Sequence, residues 1–289
     1  MRSVLLAACA VCLLASAART AAQTTRPSTQ SAAFELAGRI QAPAIRESSG
    51  VAASRRFAGV YWTHNDGGPL NSIYAITRQG RLLAEFPVRA RNVDWEDIAI
   101  DDTGRLYLAD IGNNSAQRRT ALVHQLDEPD PAGPVRPLRP RRTWELRYPA
   151  EPFDAESLFI IADHGYLLSK NRDFSPARLY RFTLDPTTGD KQILQLLTTL
   201  PLRMPVIAAD ASADARLLAV MTVTGPVVFH IDPDAPDLAL CLAWQTTFLD
   251  PLAEGLCFTT DGDLLATTEG RRIVVFPLRL NDHGSGHSR

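Results

Sequence analysis

A short acidic segment recurs along this chain and constrains its fold more than any other feature. Each copy starts with a glutamate or an equivalent position, continues with apolar residues and ends in an Asp- or Gly-containing turn. The glutamates are Glu47, Glu96, Glu156 and Glu254, separated by 49, 60 and 98 residues. Because the last separation is twice the first, a further copy is expected near residue 205, and the segment from Ile207 fits without the carboxylate. Five such units indicate a repeat architecture.

Each unit carries apolar runs of strand length between turn residues, and no segment keeps a helical period. The last unit supplies only three runs before the chain ends, and residues 34–40 can provide the fourth strand and close a ring. The sequence therefore predicts an all-β fold, a five-bladed β-propeller of four-stranded blades. Six blades are the alternative if residues 128–142 hide strands, although five prolines there favour a surface loop.

The ends of the chain differ from its centre. Residues 4–17 are apolar, follow Met1 and Arg2, and precede Ala-x-Ala-like sites, which predicts a signal peptide over residues 1–22 and export to the periplasm or beyond. We expect a polar linker at 23–33, one propeller domain at 34–280 and a disordered tail at 281–289. The apolar run is too short for a transmembrane anchor. Only eight residues precede Cys9, which disfavours lipid anchoring there.

Composition narrows the class of protein and its partners. The chain is 45% hydrophobic and 21% charged, which is typical of globular proteins and excludes disorder and coiled coil. A net charge of −2 offers no electrostatic footprint for nucleic acid. Beyond the signal peptide, Cys241 and Cys257 can pair in an oxidising compartment or be two buried thiols in neighbouring strands. We expect a monomer with a small-molecule ligand, with a protein partner on a disc face as a further option.

Carboxylates are expected to converge at one end of the propeller channel. The first strand of each blade lines the channel and the second runs back beside it, so their mouth-side ends meet. About seven carboxylates fall at those ends, with one lysine and one histidine among them. The residues predicted at or beside the mouth are Glu47, Trp62, His64, Asn65, Asp66, Trp95, Glu96, Asp97, Asp110, Asn113, Glu156, Lys170, Asn171, Glu254 and Glu269.

The repulsion between the negative charges of such a cluster must be relieved. Two like charges about 4 Å apart repel by on the order of 4 kcal/mol at an effective dielectric near 20. A bound cation, raised pKa values, or water and backbone amides can relieve that repulsion. Oxygen ligands favour Ca²⁺ or Mg²⁺ over zinc, and calcium is the divalent cation expected here. The same carboxylates can instead cap backbone amides and fix the packing of the blades.

The mouth residues divide by the chemistry that their side chains offer. The candidate metal ligands are Glu47, Asp66, Asp97, Asp110, Asn113 and Glu269. The candidate catalytic residues, as acids, bases or electrophiles, are His64, Glu96, Glu156, Lys170 and Glu254. The candidate ligand-binding residues, through stacking or amide contacts, are Trp62, Asn65, Trp95 and Asn171.

Several segments together carry a resemblance to known proteins. They read VYWTHNDGGPLNSIYAI from Val60, RNVDWEDIAIDDTGRLYLADIGNN from Arg91, YPAEPFDAESL from Tyr148 and AEGLCFTTDGDLLATTEG from Ala253. These segments resemble a group of exported bacterial β-propeller proteins. Their blade pattern is similar to the NHL, gluconolactonase-like and SdiA-regulated propellers, and more loosely to the phytase-like ones.

The resemblance implies either a metal-dependent hydrolase or a non-catalytic binder. In the gluconolactonase type, a Glu-Gly pair on an inner strand and two later Asn or Asp side chains hold the divalent ion. Glu254-Gly255 resembles the first element, and the possible counterparts of the others are Asn65, Asp110, Asn113 and Asn171. The Pro that usually follows that Glu-Gly is absent here, and one blade fewer is expected. The phytase likeness calls for basic residues, of which the predicted mouth offers only Lys170.

Three functions remain open at this point. The leading hypothesis is an exported propeller that binds a divalent cation and a small ligand at its acidic mouth. The second is a metal-dependent esterase, lactonase or phosphoesterase. The third is a non-catalytic protein-interaction scaffold with a structurally satisfied channel.

Overall fold

The computed structural model describes residues 33–67 and 71–280. The predicted signal peptide, nearly all of the predicted linker and the predicted tail lie outside these residues. Throughout the described part, the chain forms β-strands joined by turns and loops, as predicted. No helix in that part is long and apolar enough to cross a membrane.

Five sheets form the five blades of a propeller, which confirms the predicted fold and blade number. The strands are β1 (Glu35–Arg39), β2 (Ser48–Ala53), β3 (Val60–Asn65), β4 (Ser72–Thr77), β5 (Leu82–Pro87), β6 (Trp95–Ile100), β7 (Arg105–Asp110), β8 (Thr120–Asp127), β9 (Arg142–Arg147), β10 (Ala155–Ile161), β11 (His164–Ser169), β12 (Ala177–Thr183), β13 (Lys191–Ile193), β14 (Gln195–Leu200), β15 (Val206–Ala211), β16 (Leu217–Thr222), β17 (Gly225–His230), β18 (Cys241–Gln245), β19 (Ala253–Phe258), β20 (Leu264–Thr268) and β21 (Arg272–Phe276). Blade 1 contains β2–β5, blade 2 β6–β9, blade 3 β10–β12 and β14, blade 4 β15–β18, and blade 5 β19–β21 and β1.

The first strand of each blade is the innermost one and contacts the first strands of both neighbouring blades. The inner strands β2, β6 and β10 are buried along their whole length. Outer strands such as β5 and β9 alternate between covered and accessible residues, because only one of their faces is covered. The five inner strands therefore enclose the channel, and their ends define its two openings.

The apolar core is divided among the five gaps between neighbouring blades. Trp62 and Trp95 fill the gap between blades 1 and 2, and Trp144 fills the gap between blades 2 and 3. Phe159 and Phe276 belong to the clusters on either side of blade 4. The fifth cluster joins blade 5 to blade 1. Each blade is thus held by apolar contact with two neighbours, and the ring is continuous.

The ring closes through β1, as the sequence predicts. This strand pairs antiparallel with β21, from Glu35 opposite Val275 to Arg39 opposite Arg272. Gly38 lies against the backbone of Gln79 in blade 1 so closely that a Cβ at position 38 would collide with it. The first and last strands of the described chain therefore complete the same blade.

The proline-rich stretch 128–142 contains no strand before β9, so the six-bladed alternative is wrong. Leu138 forms a single bridge to Val88 and packs on the core between blades 1 and 2. Glu128 accepts a hydrogen bond from the indole of Trp62 at 2.7 Å. The insertion is a loop fastened along the outside of these two blades. A feature that was not predicted is β13, which adds a parallel fifth strand to blade 2 beside β9.

The two cysteines of the described chain are both free thiols. Cys257 is buried in the inner strand β19, whereas Cys241 is exposed on the outer strand β18. Pairing is excluded in this structure, and the expectation of two buried thiols holds for Cys257 only.

Candidate functional site

Each inner strand is bulged at the end where it enters the channel. Register shifts interrupt the pairing of all five inner strands with their neighbours at this end. Glu96, Glu156 and Glu254 lie within three of these bulges, and Ile207 takes the corresponding place in blade 4. A bulge leaves one residue out of the ladder and re-aims its side chain. Three of the four recurring glutamates are therefore bulge residues at the channel mouth, whereas Glu47 precedes β2 and the bulge of that strand holds Ser49 and Gly50.

The mouth holds a cavity of about 180 Å³ surrounded mainly by carboxylates. Blade 4 contributes none of the described lining residues, in line with Ile207 at its bulge. One lysine and one arginine face the six acidic side chains. The lining residues are Glu47, Ser49, Asp66, Glu96, Asn114, Glu156, Lys170, Arg172, Glu254 and Glu269. Seven residues predicted at the mouth are thus brought together, and their roles as ligands or catalysts stay predictions.

Three carboxylates form the tightest group. Asp66, Asp94 and Glu96 each offer an oxygen, and these oxygens lie within 4.8 Å of one another. Gly112 lies directly behind two of them, where a Cβ would collide with the carboxylates of Asp94 and Glu96. The amide of Asp94 donates to Asp110 Oδ1 at 3.1 Å, which fixes the backbone of the segment. This arrangement can accommodate a single cation between blades 1 and 2.

Asp94 was not among the predicted site residues. The available signal was its position two residues before Glu96, in the run Asp94-Trp95-Glu96-Asp97. Asp94 directly precedes β6, and its carboxylate lies beside those of Asp66 and Glu96, whereas Trp95 between them is buried in the core. A sequence reading that counts only strand starts therefore misses it.

The positive charges of the cavity come from blade 3. Lys170 forms an ion pair with Glu156 Oε1, and Arg172 lies 3.2 Å from Asp154 Oδ2. Arg172 also donates to the side chain of Asn114. Glu156 Oε2 is buried and has no hydrogen-bond partner among the described residues. One carboxylate oxygen at the cavity wall is therefore available to a ligand that the protein itself does not supply.

Burial and mutual repulsion raise the pKa of the glutamates at the mouth. Desolvation, followed by repulsion from Glu156, raises the pKa of Glu254 to about 8. Burial raises the pKa of Glu156 to about 7, although Lys170 lowers it. Glu96 has a pKa well above its ordinary value because it is buried, with Glu156 and Asp66 adding repulsion. Without a compensating cation, part of this cluster holds protons at neutral pH.

The predicted aromatic and histidine residues lie behind the mouth rather than in it. Trp62 and Trp95 are fully buried between blades 1 and 2, and their indole nitrogens donate to Glu128 and to the carbonyl of Arg91. The ring of His64 lies edge-on to Trp95, and burial lowers the pKa of this histidine to about 4. These three side chains shape the wall and offer no surface to a ligand in the cavity.

The predicted asparagines hold loops. Asn65 Oδ1 accepts from the amides of Arg46 and Glu47, so it positions the segment that carries Glu47. Asn113 accepts from the amide of Arg118 at 2.9 Å, and the neighbouring Asn114 lines the cavity instead. In each case the amide side chain is used to fix local backbone.

Asn171 and Asp110 also lie outside the cavity lining. Asn171 donates to the carbonyl of Leu202 at 3.1 Å and so fixes the loop after β11. Asp110 is fully buried and pairs with Arg118 at 2.8 Å. Both residues support the segments around the cavity.

Asp97 and Asp210 fasten neighbouring blades together. Asp97 Oδ2 accepts from the amide of Leu158 in blade 3 at 2.8 Å, and Asp210 Oδ2 accepts from the amide of Phe258 in blade 5 at 2.8 Å. Both carboxyls have raised pKa values because they are buried in the channel. The structure thus gives Asp97 a position in the wall, with both oxygens already engaged.

Replacement of Asp97 shows whether this residue acts as a hydrogen-bond acceptor within the wall or as a metal ligand. We expect Asp97→Ala to lower the free energy of unfolding by about 1–3 kcal/mol, because the buried Leu158 amide loses its acceptor. Asp97→Asn keeps one acceptor and should cost less. Chemical denaturation measures both changes, and calorimetric titration with Ca²⁺ supplies the control. A loss of cation affinity in Asp97→Asn, with stability retained, would show instead that Asp97 is a ligand.

No protein-family model and no curated protein matches this chain. Among solved structures, a streptogramin B lyase aligns with 12% identity and a TM-score of 0.44, covering 86% of this chain and 98% of that one. A gluconolactonase from Xanthomonas campestris aligns with 16% identity and a TM-score of 0.49, covering 80% of this chain and 72% of that one. The WD40 repeats of RRP9 align with 11% identity and a TM-score of 0.48, covering 86% of this chain and 98% of that one. These likenesses assign no activity to the chain.

Proposed function

We propose that this protein binds a divalent cation at the channel mouth and presents it to a small ligand in the acidic cavity, with calcium as the expected ion. The observation that carries the proposal is the group of Asp66, Asp94 and Glu96 oxygens within 4.8 Å of one another. Oxygens at that spacing can reach one Ca²⁺ at about 2.3–2.6 Å with little movement, whereas Mg²⁺ requires about 2.0–2.1 Å and a stricter geometry.

Two further features support the proposal. Glu156 Oε2, buried at the cavity wall without a partner, is an acceptor that a cation or its bound water can satisfy. Lys170 and Arg172 line the cavity from blade 3 and suit an anionic end of the ligand. The cavity of about 180 Å³ accommodates an ion together with one small oxygen-bearing group.

Cation binding should be visible as thermal stabilisation. A ligand that binds only the native state stabilises it by about 2.7 kcal/mol at a hundredfold excess over Kd. For a protein of this size we expect the melting temperature to rise by about 5–10 °C when EDTA is replaced by excess Ca²⁺. Differential scanning calorimetry makes the measurement, with Mg²⁺ and Mn²⁺ as comparisons. No shift with any of the three ions would contradict the proposal.

Matched variants locate the ion. Glu96→Gln should lose most of the Ca²⁺-induced shift, and so should Gly112→Ala, which displaces two carboxylates without removing a charge. Glu151→Gln changes an exposed carboxylate outside the cavity and should keep the full shift. Equal shifts in Glu96→Gln and the unaltered protein would place the ion elsewhere.

The alternative is a metal-dependent esterase, lactonase or phosphoesterase at the same site. The raised pKa values of Glu156 and Glu254, about 7 and 8, favour it because such groups can exchange protons near neutral pH. In that case the ion polarises the substrate and activates water. Glu254→Gln should then abolish turnover of ester, lactone or phosphoester substrates while Ca²⁺ still binds. Retained hydrolysis in that variant would exclude Glu254 as the acid or base.

A further inference from the structure

A second cavity opens at the other end of the channel. It has a volume of about 510 Å³ and is lined by the segments that follow the inner strands β6, β10 and β15, together with Arg55 after β2. The carboxylate cavity lies at the starts of the same inner strands, so the channel separates the two sites. Small-molecule sites in proteins occupy about 300–1,000 Å³, and this cavity falls within that range.

Two arginines line this cavity; Arg181 donates its Nε to the side chain of Gln195, and the other is Arg55. Its Nε is buried and has no hydrogen-bond partner among the described residues. None of the ion pairs in the described part of the chain includes it. Burial raises the pKa of the Asp210 carboxyl and the charge of Arg55 partly offsets this, so the two groups interact, although no ion pair joins them; Asp210 Oδ2 accepts from the Phe258 amide. A guanidinium in this state presents donors that suit a carboxylate of an incoming molecule.

The rim of the cavity is acidic, which restricts the ligand further. Asp101, Asp163 and Asp214 are each engaged by groups of their own hairpins. Asp102 and Asp234 are exposed, line the cavity and have no ion-pair partner among the described residues. A plain anion would meet these carboxylates before it reached Arg55, whereas a molecule that also carries an amine is attracted by both ends of the site.

We propose that this opposite cavity binds a short zwitterion, with its carboxylate at Arg55 and its amine at the Asp102 and Asp234 rim. Short peptides with free ends, and amino acids whose charges are separated by several bonds, have this chemistry. The site needs no metal ion and is independent of the function proposed for the mouth.

The test uses calorimetric titration of the purified protein in EDTA, which removes any contribution from a cation site. Triglycine carries both charges, whereas propionate and propylamine each carry one. We expect triglycine to bind and the two single-charge molecules to bind at least about tenfold more weakly. Absence of triglycine binding at millimolar concentration would overturn the proposal. Equal binding of propionate would overturn the zwitterionic class.

Variants then connect binding to the cavity. Arg55→Met should weaken triglycine binding at least about tenfold, and Asp102→Asn should weaken it less, because Asp234 remains at the rim. Arg81→Met changes an exposed arginine outside the cavity and should bind as the unaltered protein does. Thermal unfolding shows whether each variant is folded. If Arg55→Met does not fold, Asp102→Asn still tests the site. Unchanged triglycine affinity in the folded Arg55 variant, or in both cavity variants, contradicts the assignment.

Discussion

A chain that begins at Gln41 should melt at least about 10 °C below a chain that begins at Ala33, because only the longer one contains β1. Ile40 is 3% exposed and belongs to the cluster between blades 5 and 1. Truncation of such a side chain alone costs about 2–5 kcal/mol. Phe34 adds a contact with Phe248, at 5.0 Å between ring centroids. The loss of β1 also leaves β21 with an unpaired edge.

A peptide in trans makes this experiment specific. A synthetic peptide of residues 33–42 should partly restore the melting temperature of the shortened chain. The same peptide with Gly38→Val should not, since its side chain would collide with the backbone of Gln79. Circular dichroism follows both mixtures. Equal melting temperatures of the two chains would mean that β1 does not stabilise the ring.

In EDTA, the protein should be more stable in mildly acidic than in mildly alkaline solution. The folded-state pKa values of Glu254 and Glu156, about 8 and 7, lie above the value of about 4.3 in an unfolded chain. The folded protein therefore holds these protons more tightly. Their stabilising contribution is complete below about pH 4.3 and is lost as the pH rises through about 7 and 8.

The size of this effect is large for two side chains. Each unit of pKa difference corresponds to about 1.4 kcal/mol, so the free energy of unfolding should fall by on the order of a few kcal/mol across that range. Denaturant titrations at a series of pH values in EDTA measure it. Glu254→Gln should flatten the profile and be more stable than the unaltered protein at alkaline pH. Glu151→Gln should leave the profile unchanged.

Calcium should reverse the trend. Metal ligands must lose their protons, so the stabilisation by Ca²⁺ should grow as the pH rises. A melting temperature that increased with pH in EDTA would contradict the raised pKa values. A Ca²⁺-induced shift that did not depend on pH would show that these glutamates are not coupled to the ion.

The strand pattern was readable from the sequence because it depends on local alternation and on turn residues. The closure by residues 34–40 was also predictable, since a ring with a three-stranded blade needs one more strand. The convergence of Glu96, Glu156 and Glu254 followed from topology alone. In these cases, position along a strand determines position in the fold.

The finer contents of the site could not be read in the same way. A register count along strands does not reveal the bulge that holds Glu96, nor that Asp94, just before the strand, places its carboxylate beside that of Glu96. The burial of His64 depends on the packing of Trp95, which belongs to another blade. The engagement of Asp97 depends on an amide 61 residues away in the sequence. Such contacts are made across blades and leave no local signal.

The shared blade also has a consequence for the order in which the chain folds. Blades 1 to 4 form from segments that are close in sequence, so their strands can pair early. Blade 5 joins β1 to β21, which are more than two hundred residues apart, and closure of so long a loop is entropically slow. During synthesis, the strand made first must therefore wait until the strand made last has emerged. Until then the nascent protein is an open arc with two exposed ends, and its final step of folding joins them.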